Sequence, residues 1–138
     1  MIKHEAVWTT SWMRWARANK KLLPIAAAIE IKVTLDKSIP FSAVQDHQIN
    51  ALQIAKWQAY CYKLSDAARV EMPNDVIWMR DAAGLLVIYF KYKVGRGWNK
   101  EFFIIDVDCF VRETEDSKRK SLTEERAREI AMLVGRLN

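Results

Sequence analysis

Hydrophobic residues near the start of the chain recur with the period of an α-helix. Trp8, Trp12 and Trp15 lie at spacings of four and three, and Glu5 shares their stripe. This spacing predicts a helix over residues 4–19, because positions three or four apart lie on one helix face. Tryptophans placed in this way favour a buried core or a dimer surface over stacking on unpaired bases.

After Pro24, which prevents a simple continuation of that helix, the pattern changes to a period of two. Ile29, Ile31 and Val33 alternate with Glu30 and Lys32, which predicts a strand over residues 25–35. The acid and the amine therefore share the strand face opposite the three aliphatic side chains.

A second helix is predicted to run to about Gln58, opened by Ser42 and Gln45 at the spacing of a capping box. Gln48 lies on its core-facing stripe, midway between Val44 and Leu52. A buried amide needs hydrogen-bond partners, so we expect Gln48 to meet a polar group.

The second half of the chain predicts several strands and a final helix. "YCYKL" and "VIWM" are short strands, and "LLVIYFKYK" and "EFFIIDVDCFV" form a long hairpin around "VGRG". This arrangement places Asp106 and Asp108 on one strand face near its end, facing solvent. "RETEDSKRK" is predicted to be a surface linker. A capping box of Ser121 and Glu124 then opens a last helix whose apolar side reaches Leu137.

This order of elements predicts an α/β fold with a single mixed β-sheet flanked by helices. At 138 residues the chain is expected to form one domain, residues 1–138. No apolar run reaches the ~18 residues of a membrane span, and no signal-peptide core is present. Cys61 and Cys109 form no metal-binding motif, which favours reduced thiols in a cytoplasmic protein.

The formal net charge of +5 and the pI of about 9.3 favour a polyanionic partner such as DNA. Basic residues recur in groups, and we expect some of them to neutralise backbone phosphates without reading sequence. The candidates are Arg14, Arg17, Lys20, Lys21, Arg96 and Lys100. Arg96 belongs to "VGRGW", which is either a tip that probes DNA or a plain tight turn. The alternative for each basic group is an ordinary solvated face.

Glu30, Lys32 and Gln48 are the candidate catalytic residues. If the strand and the second helix pack together, their side chains form a polar pocket; the alternative is a surface ion pair worth ~0–1 kcal/mol. Such a pocket suits metal-assisted phosphodiester hydrolysis, since Mg²⁺ takes one or two carboxylates, a backbone carbonyl and waters. Glu30 and the carbonyl of Ile31 are then metal ligands. Lys32 acts on the attacking water, and Gln48 orients water or a phosphate oxygen.

The segment "IEIKVTLDKSIPFSAVQDHQINAL" resembles the core of the PD-(D/E)xK nuclease superfamily, and most of all phage and bacterial Holliday-junction resolvases of the RecU and Hjc types. The matching positions are Glu30, Lys32, Phe41, His47 and Gln48. "RKSLTEERAREIA" is also similar to a segment of small phage proteins of this type. The resemblance implies a restriction-endonuclease-like core, a Mg²⁺- or Mn²⁺-dependent endonuclease that cuts branched DNA, and a symmetric homodimer.

One position departs from the superfamily pattern, which places an aspartate on the strand before E-x-K. No aspartate precedes Glu30 in this chain. Asp75, in "MPND" before a predicted strand, is the favoured replacement as a metal ligand, and Glu5 on the first helix completes or replaces it. Two alternatives stay open: a degenerate site that binds DNA without cutting it, and a protein-interaction domain that uses the stripe of Trp8, Trp12 and Trp15.

Overall fold

A computed structural model describes the backbone of residues 2–24, 26–58, 60–63 and 76–138 and the side chains of 6–24, 26–58 and 80–138. Its α-helices are α1 (Ile2–Ala18), α2 (Asp46–Trp57), α3 (Val107–Asp116) and α4 (Glu124–Ile130). Its strands are β1 (Ala27–Thr34), β2 (Ser38–Pro40), β3 (Tyr60–Lys63), β4 (Val76–Met79), β5 (Ala83–Phe90), β6 (Lys93–Val94), β7 (Gly97–Trp98), β8 (Glu101–Asp106), β9 (Ser121–Thr123) and β10 (Leu133–Arg136). No helix within these ranges is both long enough and apolar enough to cross a bilayer.

The main sheet has four strands in the order β1, β5, β8, β10. β1 and β5 are parallel, whereas β5 with β8 and β8 with β10 are antiparallel. Parallel neighbours need a long crossover connection, and α2 is part of the crossover here. The sheet is therefore mixed, and β1 is an edge strand among the described strands. Three short antiparallel ladders join β2 to β9, β3 to β4 and β6 to β7.

Helices cover both faces of this sheet. On one face Trp12 of α1 packs in a buried cluster with Leu85 and Phe102. On the other face Leu52 of α2 and Phe110 of α3 belong to a second buried cluster. β5 is buried over nearly its whole length because both of its sides are covered, which explains its continuous apolar sequence. The fold is α/β, with a mixed four-stranded sheet flanked by helices.

The core interpretation of the tryptophan stripe is confirmed for its first two members. Trp8 and Trp12 are 6% and 2% exposed. Trp8 stacks on Tyr89 with ring centroids 5.0 Å apart, and Trp15 meets Phe102 edge-on at 4.8 Å. The predicted first helix, the alternation along β1 and the strand pair β5–β8 are also confirmed.

The second strand of the predicted hairpin ends earlier than expected. β8 stops at Asp106 and α3 begins at Val107, so the placement of Asp106 and Asp108 on one strand face is wrong. Asp106 is the N-cap of α3, and its side chain accepts a hydrogen bond from the Asp108 N–H at 3.1 Å. Aspartate is favoured at this position, and Val107 and Phe110, three residues apart, share the buried face of the helix. Much of the predicted linker therefore belongs to α3.

The predicted last helix is also shorter than expected. α4 ends at Ile130, and the following residues form β10, which pairs with β8. The N-cap of α4 is Thr123 and not Ser121, because the Thr123 hydroxyl accepts a hydrogen bond from the Arg126 backbone N–H at 3.3 Å. Gly135 of β10 lies opposite Phe102, where a Cβ atom would come within 2.1 Å of the phenyl ring. Pairing with β8 therefore makes residues 133–136 a strand, although their apolar spacing favours a helix.

Candidate functional site

Glu30, Lys32 and Gln48 lie together on the sheet face that α2 covers. Side chains alternate along β1, so Glu30 and Lys32 point away from the face on which Ile31 packs under α1. Gln48 Nε2 donates a hydrogen bond to Glu30 Oε1 at 2.7 Å, and Lys32 Nζ lies 3.2 Å from the same oxygen. The predicted convergence of acid, amine and amide is confirmed, whereas the catalytic role of these residues stays a prediction.

Gln48 links this cluster to the start of α2. The N-cap of α2 is Gln45, not Ser42, which lies in the short 3₁₀ turn Phe41–Ala43. Gln48 Oε1 accepts a hydrogen bond from the Gln45 backbone N–H at 3.0 Å, while its amide nitrogen donates to Glu30. Both ends of the amide are therefore used, and the helix cap determines the direction in which its N–H group points.

The cluster is partly buried at one side of a cavity of about 370 Å³. The Lys32 side chain is 14% exposed and that of Glu30 is 29% exposed. Glu30 and Lys32 therefore form an ion pair that is partly buried and not fully solvated. Small side chains on β1 and α2 leave the space open, and His47 lies at its rim. The lining residues are Ala28, Ile29, Glu30, His47, Gln48, Ala51, Leu52 and Ala55.

The carbonyl of Ile31 points away from β5, to the side of β1 that has no neighbouring strand among the described residues. Ala26 O accepts from Ala83 N at 2.9 Å, and Thr34 O accepts from Lys91 N at 2.7 Å. Carbonyl direction alternates along a strand, so the even-numbered residues of β1 direct theirs to β5 and Ile31 directs its own away from it. No hydrogen bond or ion pair with another described residue engages Glu30 Oε2. Among the described residues, these two hard oxygen atoms beside Lys32 therefore have no hydrogen-bond or ion-pair partner.

The two acids proposed to supplement Glu30 cannot be placed in this site. Asp75 lies outside the described residues, and Glu5 is described only as part of the backbone of α1. Among the described side chains, no group of three or more His, Cys, Asp or Glu residues is close enough to hold a metal ion. The described part of the site therefore contributes one carboxylate and one carbonyl.

The six candidate phosphate-binding residues are exposed and lie on several elements. Arg14 and Arg17 lie on α1, which covers the sheet face opposite Glu30, and Lys20 and Lys21 lie in the 3₁₀ turn after it. Arg14 also lines a cavity with Leu137, beyond the β10 edge. Arg96 lies at the β6–β7 turn and Lys100 directly before β8, where the Lys100 carbonyl accepts a hydrogen bond from the Leu137 N–H at 2.9 Å. Leu137 therefore links the surroundings of Arg14 to those of Lys100.

A second charged cluster, which the sequence did not reveal, joins α2 to α3. Lys56 Nζ lies 2.8 Å from Asp106 Oδ1 and 2.7 Å from Asp108 Oδ2. Gln53 and Trp57 also donate hydrogen bonds to Asp108, at 3.3 and 3.1 Å. The sequence does contain one sign of this cluster. Asp106 and Asp108 follow the apolar residues of a strand and precede apolar residues spaced as in a helix, and aspartates at this place are typical of a helix N-cap.

This cluster changes the titration of its members. Burial lowers the pKa of the Lys56 ammonium, but its hydrogen bonds with Asp106 and Asp108 outweigh that effect and raise the pKa above 10.5. The hydrogen bond from Lys56 lowers the pKa of Asp108 below its ordinary value of 3.8; burial opposes this change, and the bonds from Gln53 and Trp57 add to it. The cluster therefore connects α2 to the start of α3 in its charged form.

Replacing Lys56 by methionine should lower the free energy of unfolding by about 1–3 kcal/mol at about pH 7, since two partly buried carboxylates lose their cation. A lowered folded-state pKa contributes stability above the unfolded-state pKa and loses it as the pH falls through the folded-state value. The difference between the two proteins should therefore shrink towards about pH 3. Urea unfolding at both pH values measures it, with Lys118→Met, which removes an exposed lysine, as the control. An equal difference at both pH values would contradict this assignment.

The chain matches no protein-family model, and no curated protein or solved structure matches it either. The functional proposal therefore rests on the chemistry of the site and on the resemblance of residues 29–52.

Proposed function

We propose that this protein is a metal-dependent endonuclease that hydrolyses DNA phosphodiesters on a PD-(D/E)xK-type core, with branched DNA as its substrate. The observation that carries the proposal is the contact of both Lys32 and Gln48 with one oxygen of Glu30. This arrangement suits phosphoryl chemistry, because it holds an acid, an amine and an amide within hydrogen-bond distance of one another at the side of an open cavity.

Glu30 and the Ile31 carbonyl are the ligands proposed for Mg²⁺ or Mn²⁺. They fit the preference of Mg²⁺ for few protein oxygens, with waters and substrate phosphate completing its shell. Asp75 and Glu5 are the proposed further ligands, and both acids come from parts of the chain whose side chains the structure does not describe. A bound ion would polarise the scissile phosphate and make an attacking water more acidic.

Lys32 and Gln48 have complementary parts in this proposal. The Lys32 ammonium carries a positive charge beside Glu30 and stabilises negative charge that develops on the phosphate. Gln48 holds the Glu30 carboxylate through Oε1, which leaves Oε2 directed to other ligands. Because the α2 cap fixes the Gln48 amide, this carboxylate is oriented before substrate binds.

The topology around the site supports the same proposal. The E-x-K strand is an edge strand in the described sheet, so DNA can approach its free side. β1, α2 and β5 form a parallel crossover in which the helix carries the amide, which is the order that the resemblance implies. We also propose a homodimer as the active form, since a symmetric junction needs a cut on two strands.

A second candidate is a DNA-binding module of the same fold without cleavage activity. Its basis is the departure from the superfamily pattern, since no aspartate precedes Glu30 in the sequence. The protein-interaction alternative has less support, because Trp8 and Trp12 are buried inside the monomer and leave no exposed tryptophan stripe.

Incubation of the protein with a four-way DNA junction tests the proposal. We expect cleavage in Mg²⁺ or Mn²⁺, none in EDTA, and much slower cleavage of a linear duplex of the same sequence. Junction binding in EDTA with no cleavage in either metal would instead identify the binding module. If the protein binds no DNA at either low or moderate salt, both the endonuclease and the DNA-binding module are rejected.

Replacing Lys32 by methionine should lower the cleavage rate by ~100–1,000-fold, because the apolar stem is kept while the charge beside the phosphate is lost. Junction affinity in EDTA should change little. Lys118→Met removes an exposed lysine that follows α3 and should leave the cleavage rate nearly unchanged. A Lys32→Met protein that cuts at the normal rate would remove Lys32 from the proposed mechanism.

A further inference from the structure

A narrow cavity of about 220 Å³ lies between α1 and the β6–β7 hairpin. We refer to this cavity as the tryptophan slot. The slot lies on the α1 face of the sheet, whereas Glu30 faces α2. It is therefore separate from the candidate catalytic site. Its lining residues are Val7, Trp8, Ser11, Tyr89, Lys91 and Trp98.

The walls of the slot are aromatic, and one of them is open to solvent. Trp8 and Tyr89 are stacked with their ring planes 18° apart, which gives a firm inner wall. Trp98 on the hairpin is 49% exposed, which is a high exposed fraction for so large a ring. A flat ring that enters the slot would therefore contact Trp98 in place of a lysine ammonium that lies over its ring.

Trp8 also carries an unused hydrogen-bond donor. Its indole N–H is buried and has no hydrogen-bond partner, although Trp8 is only 6% exposed. Buried indole N–H groups usually find an acceptor, because leaving them unpaired costs free energy. Trp12, which does not line the slot, has an unpaired indole N–H as well, so both donors belong to the packing of α1 on the sheet.

The hairpin that carries Trp98 is held in position by Asn99. This buried side chain donates to Phe90 O at 3.0 Å, and its backbone N–H donates to Tyr92 O at 2.9 Å. At the tip, Gly95 has a φ of +60°, which the tight turn requires and glycine adopts without strain. These hydrogen bonds therefore fix the backbone next to Trp98 and with it the position of the exposed ring.

Positive charge surrounds the mouth of the slot. Lys91 Nζ and Lys93 Nζ lie 5.2 and 5.8 Å from the centre of the Trp98 ring. Arg96 at the tip of the hairpin and Lys100 after it are both exposed. None of the six lining residues is acidic, so the charge favours an anionic ligand with an aromatic part.

We propose that the tryptophan slot binds an unpaired nucleobase of a DNA strand, with Trp98 as the stacking ring and the lysines on the adjoining phosphates. This inference rests on the proposed function for its partner, DNA, but not on cleavage. A base in a duplex hides both faces in the stack, whereas a base in a single strand or at a branch point offers one. The base would displace an ammonium from the Trp98 face, since stacking is stronger than a solvated cation–π contact.

The test compares two strands with the same phosphates. One is a labelled oligothymidylate of about 10 nucleotides, and the other is an abasic strand of equal length. Binding is measured by fluorescence anisotropy in EDTA at fixed salt. We expect Trp98→Ala to weaken oligothymidylate binding about tenfold and to leave binding of the abasic strand unchanged. Trp98→Phe keeps an aromatic face and should retain most of the affinity.

Trp57→Ala is the matched control, because Trp57 is 71% exposed on α2, away from the slot. It should leave oligothymidylate binding unchanged. An equal loss of affinity for both strands in Trp98→Ala, or no loss for either, would overturn the proposal; preferential binding of an aromatic peptide over oligothymidylate would do the same. Since no metal is present, a failure of cleavage leaves this result unaffected, and the two proposals fail separately.

Discussion

Replacing Glu30 by glutamine should abolish metal-dependent DNA cleavage, with a loss of about a thousandfold or more in rate. Glutamine has nearly the same shape and can still accept a hydrogen bond from Gln48, so the change removes chiefly the negative charge. Without that charge the site loses the one described carboxylate beside Lys32 and Gln48. Single-turnover cleavage of a four-way junction across a range of Mg²⁺ and Mn²⁺ concentrations measures the effect.

Binding should behave in the opposite way. In EDTA, Glu30→Gln should bind the junction at least as tightly as the unmodified protein, because a negative charge near the phosphates is removed. Glu115→Gln, which changes an exposed acid near the end of α3, should alter neither cleavage nor binding. Undiminished cleavage by Glu30→Gln would exclude the proposed site. A loss of junction binding in EDTA would point to a structural role for Glu30.

Replacing Gly84 by alanine should lower the free energy of unfolding by about 1–3 kcal/mol. A Cβ atom at this position would lie 2.4 Å from the carbonyl oxygen of Leu52 and 3.0 Å from Val107 Cγ1. The first atom belongs to the backbone of α2 and cannot rotate away, so the helix itself must move. Gly84 pairs with Ala28 of β1, which places this contact close to the Glu30 site.

The displacement of α2 should also be visible in function. Gln48 reaches Glu30 only because α2 lies directly against the sheet, so Gly84→Ala should reduce cleavage even where the protein is still folded. Gly97→Ala is the control, since the nearest atom to its Cβ would be Val94 O at 3.9 Å. Its unfolding free energy should change by less than about 0.5 kcal/mol. Urea unfolding of both variants compares them, and equal stability of the two would refute the close contact of α2 with β5.

Elements with a strong local period were predicted well from residues alone. Helix α1 and strand β1 each bury one face, and the spacing of their apolar residues follows from the burial of that face. Gln48 was also recognisable, because an amide on an apolar helix stripe requires a partner. The spacing could not show that the same amide also caps α2 by accepting a hydrogen bond from Gln45. Two capping boxes are possible there, Ser42 with Gln45 and Gln45 with Gln48, and the sequence does not choose between them.

The errors lie where local and long-range preferences disagree. The apolar residues after β8 fit a strand as well as a helix, and the cap formed by Asp106, together with packing against α2, decides for α3. The segment after α4 carries helical spacing but pairs with β8 as β10. The space that Gly135 leaves for Phe102 becomes apparent only when the two strands are side by side.

The order of residues along the chain therefore settled which side chains share a face: Glu30 with Lys32 on one side of a strand, and Gln48 on the inner side of a helix. Those relations follow from backbone geometry and need no partner. The three-dimensional packing alone decided that these two faces meet at hydrogen-bond distance, that Lys56 joins Asp106 and Asp108, and that Trp8 and Trp98 enclose a slot. Such contacts link positions far apart in the chain, and they form only when burial of apolar surface brings the elements together.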